Sequence, residues 1–370
     1  MRGSETMSMN RRLFSLDLLR GLDMFFLAAL GVVMQTAFKV WNCPVWLQDQ
    51  FRHPWIGFSA WDIIMPLFIF MCGAAMPFAL GHRLREGKGV FWRHVLGRVA
   101  YLWVLGMVVQ GGLLSFDPKE FSPYCNTLQS IACGYLVTAA VMMIPSLSIR
   151  IAIPVLLTVA YGLIVHFCGD YSKTGNITCI VDMKIFGAIL PQGSNQVRYI
   201  SEWGYTWFLP SMMFAVITLC GYFSTEILRS GLGQWRKAVA LGVFGALSLG
   251  IGWALVPWVP VIKHFFTVSF TLQAIGWSVL LLGALYVLTD IWKARRGLGL
   301  FILFGQTALT AYICEGVFRE ACFSVSERVF GGFANFFGTA RPFVVALGYV
   351  AVLTAVLAIR RELSRKKGAR

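Results

Sequence analysis

The stretch "QFRHPWIGFSAWDIIMPLFIFMCG", Gln50 to Gly73, places His53, Trp55 and Asp62 at the mouth of a long apolar run. An imidazole there is suited to proton transfer near neutral pH, as a general base or an acyl carrier. A carboxylate can orient such a ring or hold a polar substrate. On a continuous helix, nine residues rise about 13.5 Å and turn about 180°, which would put His53 and Asp62 on opposite faces. Direct pairing therefore needs a non-helical approach that folds back. Pro54 permits one, because the residue before a proline is pushed out of the α region. The spacing allows a His–Asp pair without requiring it, and Asp62 could instead bind substrate or a neighbouring helix. Trp55 and Trp61 also have the character of interfacial belt residues.

Other side chains with chemistry to offer collect nearby in the pattern. Asn126 and Gln129 open one apolar run, and Gln110 closes the one before it. Tyr205, Trp207 and Ser211 open another. Amides suit the stabilisation of a tetrahedral oxyanion, so Asn126 and Gln129 are candidates for that role. Asp17, Arg20 and Asp23 follow at spacings of three, which brackets one guanidinium between two carboxylates on a helix. That cluster is either a self-neutralised packing device or part of a ligand site. Gly21 beside it would let another helix approach closely. A basic group, Arg83, Arg85, Lys88, Arg93 and Arg98, has the chemistry to grip phosphates. It equally serves topology control. The chain holds no phosphate-binding glycine loop that would cradle a nucleotide.

These residues need elements to position them. The 370-residue chain is 57% hydrophobic and 13% charged, against about a quarter charged in soluble domains. Its uncharged runs are long enough to cross a bilayer. They predict an all-α polytopic membrane protein of about ten spans: 14–36, 58–80, 95–115, 126–145, 149–167, 206–228, 238–257, 265–288, 299–318 and 341–360. With both termini cytoplasmic, inner segments hold roughly twice the Lys and Arg of outer ones, as the positive-inside rule requires. Topology thus accounts for the net charge of +15, and nucleic-acid binding is not needed to explain it. In this frame His53, Asp62, Gln110, Asn126, Gln129, Tyr205, Trp207 and Ser211 converge on the outer membrane face. The chain reads as a single membrane domain, 1–370, with a flexible N-terminus over 1–12, a polar outer loop over 168–205 that could act as a lid, and a basic cytoplasmic tail over 361–370. The Phe-rich segment 319–340 is expected to lie along the interface. Nine cysteines show no metal-binding spacing, although Cys168 and Cys179 flank the outer loop and could pair. Asn176-Ile177-Thr178 is a glycosylation sequon. His82, His94, His166 and His264 read as loop or helix-end residues.

Five blocks, "RRLFSLDLLRGLDMFF", "HPWIGFSAWDIIMPLFIFMCGAAMPFAL", "NTLQSIACGYL", "YTWFLPSMMFAVITLCGYF" and "GQTALTAYI", follow one another in order. Together they resemble the multi-span acyltransferases related to lysosomal heparan-α-glucosaminide N-acetyltransferase, in particular their bacterial relatives. The first two blocks are the most specific. The resemblance implies transfer of an acetyl group from cytosolic acetyl-CoA to a glucosamine-type acceptor across the membrane, and it puts the family's essential histidine at His53. It implies that the basic group with Arg20 holds the CoA phosphates and that the pantetheine arm threads between spans 1, 2 and 4. Asp62 and Asn126 would share the catalytic site, and Trp55, Gln129, Tyr205, Trp207 and Ser211 would bind the acceptor. No metal is required. A bacterial inner membrane is the expected location and a homodimer the expected assembly. The family's asparagine near the outer end of the first span falls here on Gly31, leaving Asn126 or Gln35 to substitute. Two rivals remain: a transporter or flippase using Arg20, Asp23 and Asp62 along a pathway, and an O-acyltransferase for an envelope sugar.

Overall fold

A computed structural model describes residues 13–368. The expected flexible N-terminus, 1–12, and the last two residues of the basic tail lie outside the described residues. The described chain is helical and contains no strand. Its helices are α1 (Phe14–Phe25), α2 (Gly31–Val40), α3 (Val45–Asp49), α4 (Ile64–Glu86), α5 (Lys88–Val109), α6 (Thr127–Met142), α7 (Leu147–Phe167) and α8 (Ile177–Ile189). There follow α9 (Asn195–Trp203), α10 (Ser211–Arg229), α11 (Gln234–Ala254), α12 (Val268–Tyr286), α13 (Gly299–Gln306), α14 (Ala308–Gly316), α15 (Arg319–Ala334) and α16 (Arg341–Gly368).

Six described helical segments are long and apolar enough to cross a membrane: Ala60–Glu86, Leu147–Phe167, Ser211–Arg229, Gln234–Ala254, Val268–Ile291 and Arg319–Lys366. The last contains α15, the turn after it and most of α16. Much of the surface carries bulky apolar side chains, such as Leu156, Leu163 and Leu247, as a lipid-facing exterior would.

The chain divides into two compact units. One comprises Pro54–Phe58 and Met65–Val287; the other comprises Leu13–His53, Ser59–Ile64 and Leu288 onward. In the first unit, α6 packs against α5 and α10, and α11 pairs with α12. Part of its core is built from Met76, Leu80, Phe91, Val95 and Tyr135, all buried. In the second unit, α1 packs on α13, α2 on α16, and α15 on α16. The α1–α13 crossing is close because both helices offer glycine. A Cβ on Gly21 would fall 1.7 Å from the Phe301 carbonyl oxygen, and one on Gly305 would fall 2.1 Å from that of Asp17. The backbone contact expected at Gly21 is therefore made, and its partner is α13.

Local structure departs from the apolar pattern in four places. The first expected span is one helical path, but its middle, Phe26–Leu30, is a π-turn between α1 and α2. The expected span 299–318 breaks at Thr307 into two short helices. The segment 168–205, expected to be a polar outer loop, contains α8 and α9, with Asn176 and Ser194 as side-chain N-caps. The segment 319–340 is mostly α15, whose Cys322, Ser326, Gly331 and Ala334 are buried; Ser326 Oγ donates to the Val345 carbonyl at 2.7 Å.

Candidate functional site: a histidine–carboxylate pair

His53 and Asp62 lie in the same compact unit. The chain folds back between them, held by Gln50 and Arg52. The Gln50 carbonyl accepts the Trp61 N–H at 2.9 Å, and its side-chain oxygen accepts the Ala60 N–H at 3.0 Å. Residues Ala60–Ile63 then form one 3₁₀ turn that leads into α4. Ser59 and Asp62 close a capping box at its start, the reciprocal arrangement that satisfies helix-end N–H groups. Asp62 Oδ2 accepts the Ser59 N–H at 2.9 Å. The Ser59 hydroxyl lies 2.9 Å from the same oxygen and 2.7 Å from the Arg52 carbonyl, and gives its one proton to one of them.

The other carboxylate oxygen, Oδ1, stands 2.6 Å from His53 Nδ1. Asp62 is fully buried, while the His53 side chain is 34% exposed. A carboxylate fixed on one side by a capping box thus presents its other side to a ring that reaches solvent. His53 Nδ1–H donates to Asp62, which selects the tautomer and leaves proton or acyl transfer to Nε2. The fold-back that the spacing allowed is the one the chain adopts.

Trp61 explains the departure at Gly31. Its indole packs with Phe26 and Phe51, ring centroids 5.5 and 5.6 Å away. A Cβ on Gly31 would fall 2.1 Å from the Trp61 ring edge. The asparagine that the resemblance implies at this position has no room here.

Within the other unit, Trp55, His264, Tyr205 and Tyr199 form an aromatic ladder. Ring centroids are 4.7 Å apart for Trp55–His264, 4.3 Å for Tyr205–His264 and 5.6 Å for the stacked Tyr199–Tyr205 pair. Trp55 Nε1 donates to the Tyr171 carbonyl at 3.1 Å, and the Lys173 ammonium lies 5.7 Å over its ring. His264 sits in a tight turn in which Phe266 N–H donates to the Lys263 carbonyl at 3.0 Å. Phe266 adopts φ +52° there, a conformation uncommon for a bulky residue. A polar Lys-His step inside the apolar run "VPVIKHFFTVSF" was the available signal for His264, which the sequence reading assigned only to a helix end.

The expected oxyanion amides are used by the fold. Asn126 caps α6: its Oδ1 accepts from Leu128 N and Gln129 N at 3.0 and 3.3 Å, and its Nδ2 faces the Gly106 carbonyl at 2.8 Å and Cys125 Sγ at 3.6 Å. Gln129 closes the preceding loop, accepting from Cys125 N at 2.8 Å and donating to the Pro123 carbonyl at 2.6 Å. Both are buried. Asn126 thus serves as the cap of α6, with both its oxygen and its amide nitrogen engaged. Trp207 is also buried, with its N–H donating to Asp182 Oδ2 at 2.6 Å; Phe208 N–H donates to Oδ1 at 3.2 Å. Ser211 Oγ is 2.7 Å from the Tyr124 hydroxyl. Trp207 and Ser211 thus hold the start of α10 in place, whereas Trp55 and Tyr205 stand in the aromatic ladder. Burial pushes Asp182 up to about 7, against the pull of the two backbone N–H groups.

Of the basic residues, Arg98 lies 5.3 Å over the Tyr135 ring. His94 is lowered from its usual value by burial first, then by the charges of Arg83 and Arg98, both of which lie near its ring. Arg85 and Arg93 are exposed. Arg20 belongs to the other unit, 3.7 Å from Asp17. Cys168 and Cys179 are both free thiols, one exposed and one buried, so no disulfide links them. Asn176 is buried as the cap of α8, which closes the sequon to a glycan. Compared with known proteins, the chain matches no family model and no curated protein.

Proposed function

We propose that this protein is a membrane acyltransferase of the kind its first two sequence blocks resemble, moving an acetyl group from acetyl-CoA to an amine or hydroxyl of a sugar acceptor. The single observation that carries the reading is the 2.6 Å contact between an accessible imidazole and a buried carboxylate anchored from behind. Such a pair orients a base and stabilises the imidazolium that forms during proton transfer. His53 Nε2 takes the proton of the acceptor as its nitrogen or oxygen attacks the thioester carbonyl. The C–S bond breaks as the new C–N or C–O bond holds the acetyl group, and the imidazolium returns the proton to the departing CoA thiolate. In a ping-pong variant Nε2 itself takes the acetyl group and passes it on.

Arg83 and Arg98 are the residues we assign to the CoA phosphates, since both place positive charge near His94. Trp55, Tyr205 and His264 suit the apolar face of a sugar ring. The ten-span topology with cytoplasmic termini, a bacterial inner membrane and a homodimeric state complete the proposal. A second reading, transport, draws on Asp23, whose buried Oδ2 has no hydrogen-bond partner among the described residues; ionisable groups within spans commonly mark pathways. Radiolabelled acetyl-CoA and glucosamine, incubated with purified protein and with His53→Ala, separate the two. Label transfer that vanishes in the variant supports acyl transfer by His53. Absence of CoA release with every amine and hydroxyl acceptor tried rejects the enzyme and favours transport.

A further inference from the structure

The second unit contains a cavity of about 430 Å³ that the acyl-transfer reading does not use. Three helices wall it. The end of α2 gives Gln35 and Lys39, α15 gives Arg319 and Glu327, and the start of α16 gives Arg341. Cations outnumber carboxylates in the lining by three to one. The two guanidiniums are held by their neighbours and still reach the cavity. Arg341 Nε donates to Asn335 Oδ1 at 2.8 Å while its other arm pairs with Glu327. Arg319 lies 3.3 Å from Glu315, which is not part of the lining. Both side chains stay 42% exposed. Lys39 has no ion-pair partner among the described residues. It is the one cation of the three that no carboxylate neutralises.

The remaining wall is apolar: Val32, Phe323, Pro342 and Val345. Phe323 is fixed by stacking on Tyr349 with centroids 4.5 Å apart. The cavity is therefore several times larger than a small anion needs, since a water molecule takes about 30 Å³, and one part of it is greasy. Its height along the helices is also informative. Arg341 directly precedes the uncharged run 342–359, and Lys39 closes the uncharged run 24–38. Cations at such borders sit at headgroup level, and basic pockets between membrane helices recognise anionic headgroups.

We propose that this pocket binds the phosphate of an amphiphile, with Lys39, Arg319 and Arg341 around the anion, Gln35 as an added donor, and the Val32–Phe323–Val345 wall against the first apolar atoms. Guanidiniums suit a phosphate because their planar fork matches its oxygens. The proposal stands independently of acyl transfer.

The test is native mass spectrometry of the full chain in detergent with phosphatidylglycerol, phosphatidylcholine and inorganic phosphate as probes. Phosphatidylglycerol is expected to be retained over phosphatidylcholine, and Lys39→Gln to weaken that retention about tenfold while Lys39→Arg preserves it. Arg319→Gln should weaken it further. Lys39 is exposed, so its variants test the pocket even if the Arg319 variant fails to fold, and a thermal melt checks each. Inorganic phosphate that binds as tightly as the lipid, with the same sensitivity to Lys39, keeps the anion site but overturns the lipid source. Equal retention of the two lipids, or phosphatidylglycerol binding untouched in a folded Lys39→Gln protein, overturns the site.

Discussion

Two helix starts in this protein look alike on paper and behave differently in space. Asp62 and Asn126 both satisfy N–H groups at the opening of a helical segment, and both are buried. The hydrogen bonds of the Asn126 side chain end on backbone or on Cys125. Around Asp62 the network extends to a titratable ring that is partly exposed. A buried polar group that closes on its own backbone is accounted for by folding alone. One that passes its orientation to a solvent-reaching imidazole can do chemistry. The difference separates a cap from a candidate catalytic pair, although both arise from the same local rule.

Substitutions break or sharpen that contrast. The largest effect is expected at His53→Ala, which should reduce acetyl transfer to the level without enzyme while leaving the melting temperature within about 2 °C; CoA release and a thermal melt in detergent read both. Asp62→Asn should lower kcat by about 10²-fold or more, within the range of general-base contributions, because the amide can no longer stabilise the imidazolium. A rate within twofold of wild type would leave Asp62 as a cap only. Ser59→Ala removes the hydroxyl beside the carboxylate and is expected to cost about tenfold in kcat together with about 1 kcal/mol of helix capping.

Asn126→Ala is the control on the other side of the comparison. It should destabilise the protein by about 1 kcal/mol, the usual cost of losing a cap, with kcat per folded molecule unchanged. A large loss of kcat without loss of stability would return Asn126 to the chemistry. The smallest effect is a pH slope from Asp182, in the same unit as Asn126. Its folded value, about 7, lies above the ordinary 3.8, so the folded state keeps a proton that the unfolded chain has already released. Stability from this group is therefore fully present below about 3.8 and is lost as pH rises to about 7. Melting temperature should fall from pH 5 to pH 7 and then level, and Asp182→Asn should flatten that decline.

How much of this was legible beforehand depended on the range of the interaction. Uncharged runs such as 63–81 and 203–225 marked α4 and α10 because crossing or burial needs only a local excess of apolar side chains. Gly21 announced a close helix contact because a missing Cβ is visible in the sequence itself. The break at Thr307 was hidden, since both halves of "LFILFGQTALTAYI" are uncharged and hydropathy carries no record of backbone direction. α8 and α9 were hidden for the opposite reason: they are short, and α9 is polar. The ladder through His264 joins residues far apart in sequence, which no periodicity reports.

The sequence alone therefore determined the apolar helical character, the positions of most long helices, and the short roster of groups able to move a proton or hold an anion. It also determined the two-way choice at His53 and Asp62, because Pro54 opens a fold-back without compelling it. Tertiary structure decided that choice. Gln50 and Arg52 had to meet Ala60, Trp61 and Ser59 before the carboxylate could reach the ring. It likewise set Trp61 over Gly31 and spent Asn126 on Gly106. The physical reason is the same in each case: a hydrogen bond or a van der Waals contact acts over a few ångströms of space, and the chain's fold, not its order, brings the partners within that distance.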